Sequence, residues 1–241
     1  MGLPPREEPR SEQLHAPIVR LAARALADKN IPVVEYGQQV QYRGGDPMVL
    51  LLVEWAVPDE LLSFSSQVLS KYGFSRVPPS TKVTDRYGPW ERGCIVHKHK
   101  LDESSPIYLY PLSFVGLALQ DTVKVTSTFD RTLPILTPKP PMYMVSLLRH
   151  LLYHPVNDSF RLRVIDDLLS FISFYILRDK PLNTKEVGWE DEESEEDFQQ
   201  RLEEAVLEMK SWDWGASREE YLCIAESVVR DCRSIYQLSN C

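Results

Sequence analysis

Residues 48–57 constrain the fold most strongly, because this run is apolar at almost every position and Glu54 is its one charged residue. A strand with one face in water alternates apolar and polar side chains, whereas a strand covered on both faces is apolar nearly throughout. The run therefore predicts a central strand with other elements packed against both of its faces, as in an α/β protein.

Helical and extended patterns flank this strand in sequence. After Ser11, which can cap a helix, apolar residues recur at helical spacing through 11–30, and a short strand is predicted at 31–36 before Gly37. Beyond the central strand, Pro58 and the two acids after it predict a helix start, and Gly73 predicts its end. The first part of the chain thus predicts the order helix, strand, strand, helix.

The middle of the chain alternates between strand and helix signals. A proline- and glycine-marked loop is predicted at 78–91, and a polar turn at 102–105 separates strands predicted at 93–101 and 107–112. The remaining predictions here are a strand at 133–136 and helices at 142–153 and 160–177. The second helix is apolar almost all round from Leu168 onward, which indicates burial.

The C-terminal third contains an acidic segment. Residues 186–204 hold ten acids and one base, enough to account for the net charge of −8. We expect a solvated linker that becomes a helix at 195–210, followed by a last helix at 217–236. Docking of a basic partner is the alternative interpretation of the acidic segment.

Three tryptophans, Trp189, Trp212 and Trp214, lie around this segment, and they are interpreted either as helix packing or as partner anchors. The predicted organisation is a disordered leader at 1–10, an α/β core at 11–136, closing helices at 137–180, an acidic linker at 181–198 and a C-terminal helical extension at 199–241.

Charge and composition exclude several classes of partner. A net charge of −8 disfavours binding to nucleic acid or to an anionic membrane, since both would repel the chain. The N-terminal residues lack the apolar segment of a secretory signal, and the four cysteines are spaced too far apart to suggest a disulfide framework. We expect a cytoplasmic protein with reduced thiols.

The order of elements resembles the opening of the minimal nucleotidyltransferase-like fold, including fungal proteins of that superfamily. The residues that carry the resemblance are 37–47, which match a glycine motif, 48–57, 58–61 and, later, 137–148. The resemblance spans about 14–177 and implies a small mixed sheet flanked by helices. In the family, the glycine motif faces the nucleotide and the second strand presents Asp-x-Asp to divalent metal.

Departures from this pattern are the more informative part of the resemblance. The Asp-x-Asp positions fall on Leu52 and Glu54, and residues 107–112, where a third carboxylate is expected, contain none. Gln38 stands where a second small residue usually lets phosphates approach. Because Mg²⁺ in phosphoryl transfer is held by carboxylate oxygens, we expect no metal, no cofactor and no nucleotide transfer of the ordinary kind.

Strand alternation indicates which residues could lie together in the region that corresponds to the family's nucleotide cleft. Leu52 shares a face with Glu54, Tyr108 with Tyr110, and His97 with His99. The candidate catalytic residues are Glu54, His97 and Tyr108. The candidate ligand-binding residues are Glu35, Gly37, Gln38, Leu52, Arg92, His99 and Tyr110.

Structural roles explain several of the same residues. Glu54 could pair with an arginine, such as Arg43 or Arg92, and only stabilise the fold. A zinc site formed by Cys94, His97 and His99 is a weaker alternative, because alternation points Cys94 away from the two histidines.

Three hypotheses about function follow. The first is a catalytically degenerate scaffold that binds a small apolar metabolite or a protein partner. The second is an enzyme whose cleft performs metal-free acid/base chemistry, such as cyclisation, dehydration or isomerisation, on an apolar or secondary metabolite. The third is nucleotide transfer that uses displaced acids such as Asp46 or Asp85.

Overall fold

The computed structural model describes residues 16–78, 90, 93–179 and 193–238. The leader at 1–10, Ser11, Asp85, Arg92, Trp189 and most of the predicted acidic linker lie outside these residues.

Strands and helices alternate through the first half of the described chain. They are α1 (Ala16–Ala27), β1 (Val34–Glu35), α2 (Gln38–Gly44), β2 (Val53–Val57), α3 (Leu62–Lys71), β3 (Phe74–Val77), β4 (Ile95–His99) and β5 (Asp102–Pro111). The second half comprises β6 (Thr122–Thr126), β7 (Pro134–Pro138), α4 (Pro140–Tyr153), α5 (Phe160–Ser170), α6 (Glu195–Lys210) and α7 (Arg218–Arg230). A π-helical stretch, Phe171–Ile176, continues α5, and a 3₁₀ helix, Cys232–Gln237, follows α7.

The described strands form one mixed sheet of seven strands, in the order β3-β4-β5-β2-β1-β7-β6. β2 pairs in parallel with β5 and antiparallel with β1, while β1 pairs in parallel with β7. All five residues of β2 are buried, which confirms that the strand is covered on both faces. The prediction of a strand over 48–57 was wrong for its first half, because 48–52 precede β2 and Val49 and Leu51 are exposed. The expected fold class, a mixed sheet flanked by helices with further helices at the C-terminal end, is confirmed.

Two apolar cores lie on opposite faces of the sheet. Trp55 and Val57 of β2 pack with α1 and α3, whereas Ala56 lies in the core that contains α4, α5, α6 and α7. Glu54 alternates with Trp55, so its side chain lies on the α4–α5 face. We call this the distal face, and the α1–α3 side the proximal face.

The end of α3 and the start of α4 agree with local sequence signals, a glycine and a proline respectively. Gly73, which follows Tyr72 at the C-cap of α3, has a φ of 91°, and this confirms the predicted glycine stop. α4 begins at Pro140, two residues earlier than predicted, because prolines are well accommodated in a first helical turn.

Several sequence predictions were wrong in detail. Residues 102–105 belong to β5, and the chain reverses at Lys100–Leu101, as the pairing of His99 with Asp102 shows. The edge strands β3 and β6 were not predicted. Edge strands expose much of their surface, and their weak apolar pattern resembles that of a loop.

The C-terminal helices are close to their predicted bounds, with α6 at Glu195–Lys210 as expected. The last predicted helix is divided, since α7 ends at Arg230 and a 3₁₀ helix follows. Trp214 is buried and its indole nitrogen donates to the Met209 carbonyl at 3.0 Å. The Trp212 ring lies 6.0 Å from the Trp214 ring and packs against the core, so the packing interpretation is confirmed for these two residues.

Candidate functional site

The candidate site is built around the turn at Gly37, which joins β1 to α2. Gly37 has φ 54° and ψ −122°, a conformation that L residues rarely adopt. A Cβ at this position would lie 2.2 Å from Glu54 Oε2 and 2.8 Å from Arg163 Nη2. Glycine is therefore required both by the backbone conformation and by the close approach of two charged side chains.

Glu54 is fully buried, and both of its carboxylate oxygens accept hydrogen bonds. Oε2 accepts from the Gln38 backbone N–H at 3.0 Å and from Arg163 Nη2 at 2.7 Å. Oε1 accepts from the Tyr110 hydroxyl at 3.1 Å. Among the residues that the structure describes, the arginine partner of Glu54 is thus Arg163 and not Arg43, whereas Arg92 lies outside those residues.

Arg163 also binds a second carboxylate, that of Asp167 one turn later on α5. Arg163 Nε lies 2.8 Å from Asp167 Oδ1, and the same oxygen accepts from Gln41 Nε2 at 2.6 Å. The cluster of Glu54, Arg163 and Asp167 therefore carries one cation between two carboxylates. We call it the buried charge cluster.

The surroundings shift the pKa values within this cluster in different directions. Burial raises the pKa of Asp167 to about 6; the Arg163 charge opposes this shift and the Glu54 charge adds to it. Burial by itself would lower the pKa of Arg163, yet the two carboxylates raise that pKa well above its usual range. Arg163 is the fixed positive charge of the cluster, and Asp167 is the carboxyl whose neutral form burial favours.

The glutamines of α2 hold the backbone that leads into β2. Gln38 Oε1 accepts from the Leu51 and Leu52 N–H groups at 3.0 and 2.9 Å. Gln39 donates to the Leu52 carbonyl at 2.6 Å and accepts from the Glu54 N–H at 2.8 Å. Leu52 is therefore fixed by its backbone, and its half-buried side chain packs against the distal core.

Tyr108 and Tyr110 share the distal face with Glu54, as predicted by alternation. Tyr108 is the cross-strand partner of Glu54 between β2 and β5, and both tyrosines are buried in the distal core. Besides donating to Glu54, the Tyr110 hydroxyl accepts from Trp90 Nε1 at 3.2 Å. Burial and the Glu54 charge raise the pKa of Tyr110 well above its usual range.

His97 and His99 lie on the proximal face, so the structure does not bring them to Glu54. Nδ1 of His97 is 2.9 Å from the Phe74 carbonyl oxygen, and Nε2 is 2.9 Å from Ser66 Oγ on α3. The His99 ring packs on Phe74 with ring centroids 4.8 Å apart. The two histidines share a face with each other, as predicted, but it is the opposite face from that of Glu54.

Glu35 forms a separate polar contact at the end of β1. Its carboxylate accepts from Arg43 Nε at 2.7 Å and from the Thr128 backbone N–H and hydroxyl at 2.8 Å each. Burial raises the pKa of Glu35, while Arg43 and Thr128 oppose the shift. Glu35 thus ties α2 to the segment between β6 and β7.

The candidate residues missed from sequence are Gln41, Arg163 and Asp167. Arg163 and Asp167 are spaced i, i+4, so they lie on one face of α5, and both are buried although charged side chains are rarely buried without partners. That spacing was a usable signal, because a charged pair on a helix predicted to be buried requires partners.

Among residues 16–78, 90, 93–179 and 193–238, no group of three or more His, Cys, Asp or Glu side chains is arranged to hold a metal ion. Within the same described residues, no helix has the length and apolar content needed to cross a bilayer.

Comparison with known proteins identified similar solved structures, among them the following two. No family model matches the chain, and no curated protein matches it. An antigenic nucleotidyltransferase-like protein from Paracoccidioides brasiliensis is similar with a TM-score of 0.44 and 14% identity, over 94% of each chain. The antibiotic-resistance factor ANT(2'')-Ia is similar with a TM-score of 0.41 and 11% identity, over 68% of this chain and 95% of that chain.

Proposed function

We propose that this chain is a nucleotidyltransferase-like scaffold that no longer performs metal-dependent nucleotide transfer and instead functions by binding a partner. The observation that carries the proposal is the Glu54–Arg163 ion pair, whose atoms lie against Gly37. In the family that the sequence resembles, the glycine turn is the place where nucleotide phosphates approach. Here the approaching groups belong to the chain itself.

The chemistry of Glu54 supports this proposal. A carboxylate that accepts from a guanidinium, a backbone N–H and a tyrosine hydroxyl has its oxygens occupied. Binding of Mg²⁺ would require the buried Arg163 to leave, and would still lack a carboxylate at Leu52. The ion pair therefore acts as an internal substitute for the charges of a metal–phosphate complex.

The proposed partner is a protein or a small apolar metabolite. The net charge of −8 disfavours nucleic acid and anionic membranes as partners, as argued from the sequence. The alternative, an enzyme using Glu54 with Tyr108 or His97, has less support. Glu54 would have to give up Arg163 to act as a base, and His97 lies on the other face of the sheet.

Transfer by displaced acids also has less support. Asp46 accepts a hydrogen bond from Ser170 at 2.5 Å, which gives it a role between α2 and α5. Asp85 lies outside the described residues.

Isothermal titration calorimetry with ATP, GTP, CTP and UTP, each with and without Mg²⁺, tests the loss of transfer. We expect no Mg²⁺-dependent binding. Glu54→Gln, which keeps the side-chain shape, and Glu60→Gln, which removes an exposed carboxylate after β2, form a matched pair of variants. Mg²⁺-dependent binding that survives Glu60→Gln and disappears in Glu54→Gln would overturn the proposal.

A further inference from the structure

A serine and a histidine form a polar pair on the proximal face, away from the buried charge cluster. Ser66 Oγ on α3 lies 2.9 Å from His97 Nε2 on β4, and His97 Nδ1 lies 2.9 Å from the carbonyl oxygen of Phe74 on β3. His97 is fully buried, whereas Ser66 is half-buried and lies where α3 meets solvent.

The contact with Phe74 determines the tautomer of His97. A carbonyl oxygen can only accept a hydrogen bond, so Nδ1 must carry a proton. In the neutral imidazole, Nε2 is then an acceptor, and the Ser66 hydroxyl must donate to it. Ser66 thus donates to Nε2, and the Nδ1–H group donates to an oxygen. An activated serine nucleophile has the same arrangement of donors and acceptors.

The environment keeps His97 in the neutral form that a base requires. Burial lowers its pKa from the ordinary value of 6.5; the Phe74 hydrogen bond opposes this shift, and the positive charge of Arg76 adds to it. Arg76 is the cross-strand partner of His97 on β3. At neutral pH the imidazole is therefore available to take a proton from Ser66.

We propose that Ser66 is a nucleophile activated by His97, and that it accepts an acyl group from esters with good leaving groups. Ser66 Oγ attacks the carbonyl carbon while its proton moves to His97 Nε2. The bond to the leaving oxygen then breaks, and that oxygen takes the proton from Nε2. Water repeats the sequence on the acyl-serine, releasing the carboxylic acid and restoring the serine hydroxyl.

The same geometry limits the rate of turnover. In the serine–histidine–aspartate arrangement, a carboxylate stabilises the imidazolium, whereas here the third group is the neutral Phe74 carbonyl. Burial also disfavours the charged ring. The pair is therefore suited to slow acylation with a lasting acyl-serine, and this activity is independent of the proposed partner binding.

Covalent labelling tests the proposal on the full chain. The protein is treated with p-nitrophenyl acetate and, separately, with a fluorophosphonate, and each modified serine is mapped by peptide mass spectrometry. Ser63 and Ser70, the exposed serines of α3 one turn to either side, are internal controls. General-base assistance predicts that Ser66 is modified about a hundredfold faster than either control.

Two serine variants separate the specific reaction from background. Ser66→Ala should abolish the fast labelling, and Ser70→Ala should leave it unchanged. Labelling of Ser66 at the rate of Ser63 and Ser70 would overturn the proposal and make the serine a simple hydrogen-bond partner of a buried histidine.

The role of His97 is tested by His97→Gln and by the pH profile of the wild-type reaction. The variant should slow Ser66 labelling to the control rate. The profile needs no variant, so it stays informative if the buried substitution does not fold. With neutral His97 as base, the labelling rate is level through neutral pH and falls at a pH below the ordinary histidine value of 6.5. A rate that rises steadily with hydroxide would contradict the proposal.

Discussion

Arg163 Nη2 lies 2.7 Å from Glu54 Oε2, and this ion pair joins α5 to the central strand across 109 positions of sequence. Both side chains are almost entirely buried. The favourable charge interaction offsets the cost of desolvating the two ions, so the pair by itself is weak evidence of high stability. Its structural importance should appear instead when one partner is removed.

Arg163→Met is predicted to destabilise the protein strongly. The substitution leaves Glu54 and Asp167 as two buried carboxylates without a cation, which typically costs about 3–5 kcal/mol. Urea unfolding measures the change. Arg178→Met is the control, because Arg178 pairs with Glu208 in a half-exposed position, where a pair contributes at most about 1 kcal/mol. Equal effects of the two substitutions would contradict a buried, unsolvated cluster.

Protonation of Asp167 is predicted to make stability depend on pH. Its pKa is raised from 3.8 to about 6 on folding, so the folded state favours the neutral carboxyl. The stability from this group is fully present below pH 3.8 and is lost as the pH rises through about 6. The unfolding free energy of the wild type minus that of Asp167→Asn should therefore fall over this range.

Glu54→Gln provides a check on the origin of that pH dependence. The Glu54 charge is one cause of the raised pKa of Asp167, so its removal should weaken the slope. A slope of the opposite sign, or one unchanged by Glu54→Gln, would show that the two carboxylates do not interact as the geometry requires.

The central layers of this fold were predictable because burial leaves a direct trace in the sequence. Residues 53–57 must be apolar, apart from the paired Glu54, if both faces of β2 are covered, and the helices beside them need an apolar stripe. The edge strands β3 and β6 leave no such trace, since half of their surface faces solvent. The π-helical stretch Phe171–Ile176 is likewise invisible, because apolar residues satisfy α and π geometry equally.

The candidate site was predictable only in part, for a similar reason. Alternation placed Glu54, Tyr108 and Tyr110 on one face, because strand geometry is local. The face of His97 relative to Glu54 depends on the register between β4 and β5, which alternation within one strand cannot supply. The choice of Arg163 over nearer arginines depends on how α5 docks, a long-range property of packing.

Gly37→Ala is predicted to disrupt the candidate site. Its Cβ would overlap Glu54 Oε2 and Arg163 Nη2, and both groups are held by other hydrogen bonds. Gly215→Ala is the control, since Gly215 also has a positive φ, of 53°, but no atom lies within 4 Å of its added Cβ. Both positions have a positive φ, so each substitution also strains the backbone. Overpacking should make Gly37→Ala worse by about 1–3 kcal/mol in thermal or urea unfolding.

Arg161 anchors the C-terminal 3₁₀ helix to α4 with a buried guanidinium. Only 2% of this side chain is exposed, and it donates to four carbonyl oxygens on two parts of the chain. The acceptors are the carbonyls of Leu151, His154, Ile235 and Leu238. Burial lowers the pKa of Arg161, and the Asp158 charge opposes the shift.

Arg161→Met is therefore predicted to release the C-terminal segment before the rest of the fold. Methionine fills part of the same volume but cannot donate, so the buried carbonyls lose their partner at a cost of about 2–3 kcal/mol. Hydrogen exchange should accelerate in residues 232–238 more than in β2, and limited proteolysis should cut there first. Arg218→Met, which removes an exposed arginine at the start of α7, should leave both measurements unchanged. If exchange instead rose equally across the sheet and the C-terminal segment, Arg161 would stabilise the fold as a whole and would have no specific role as an anchor.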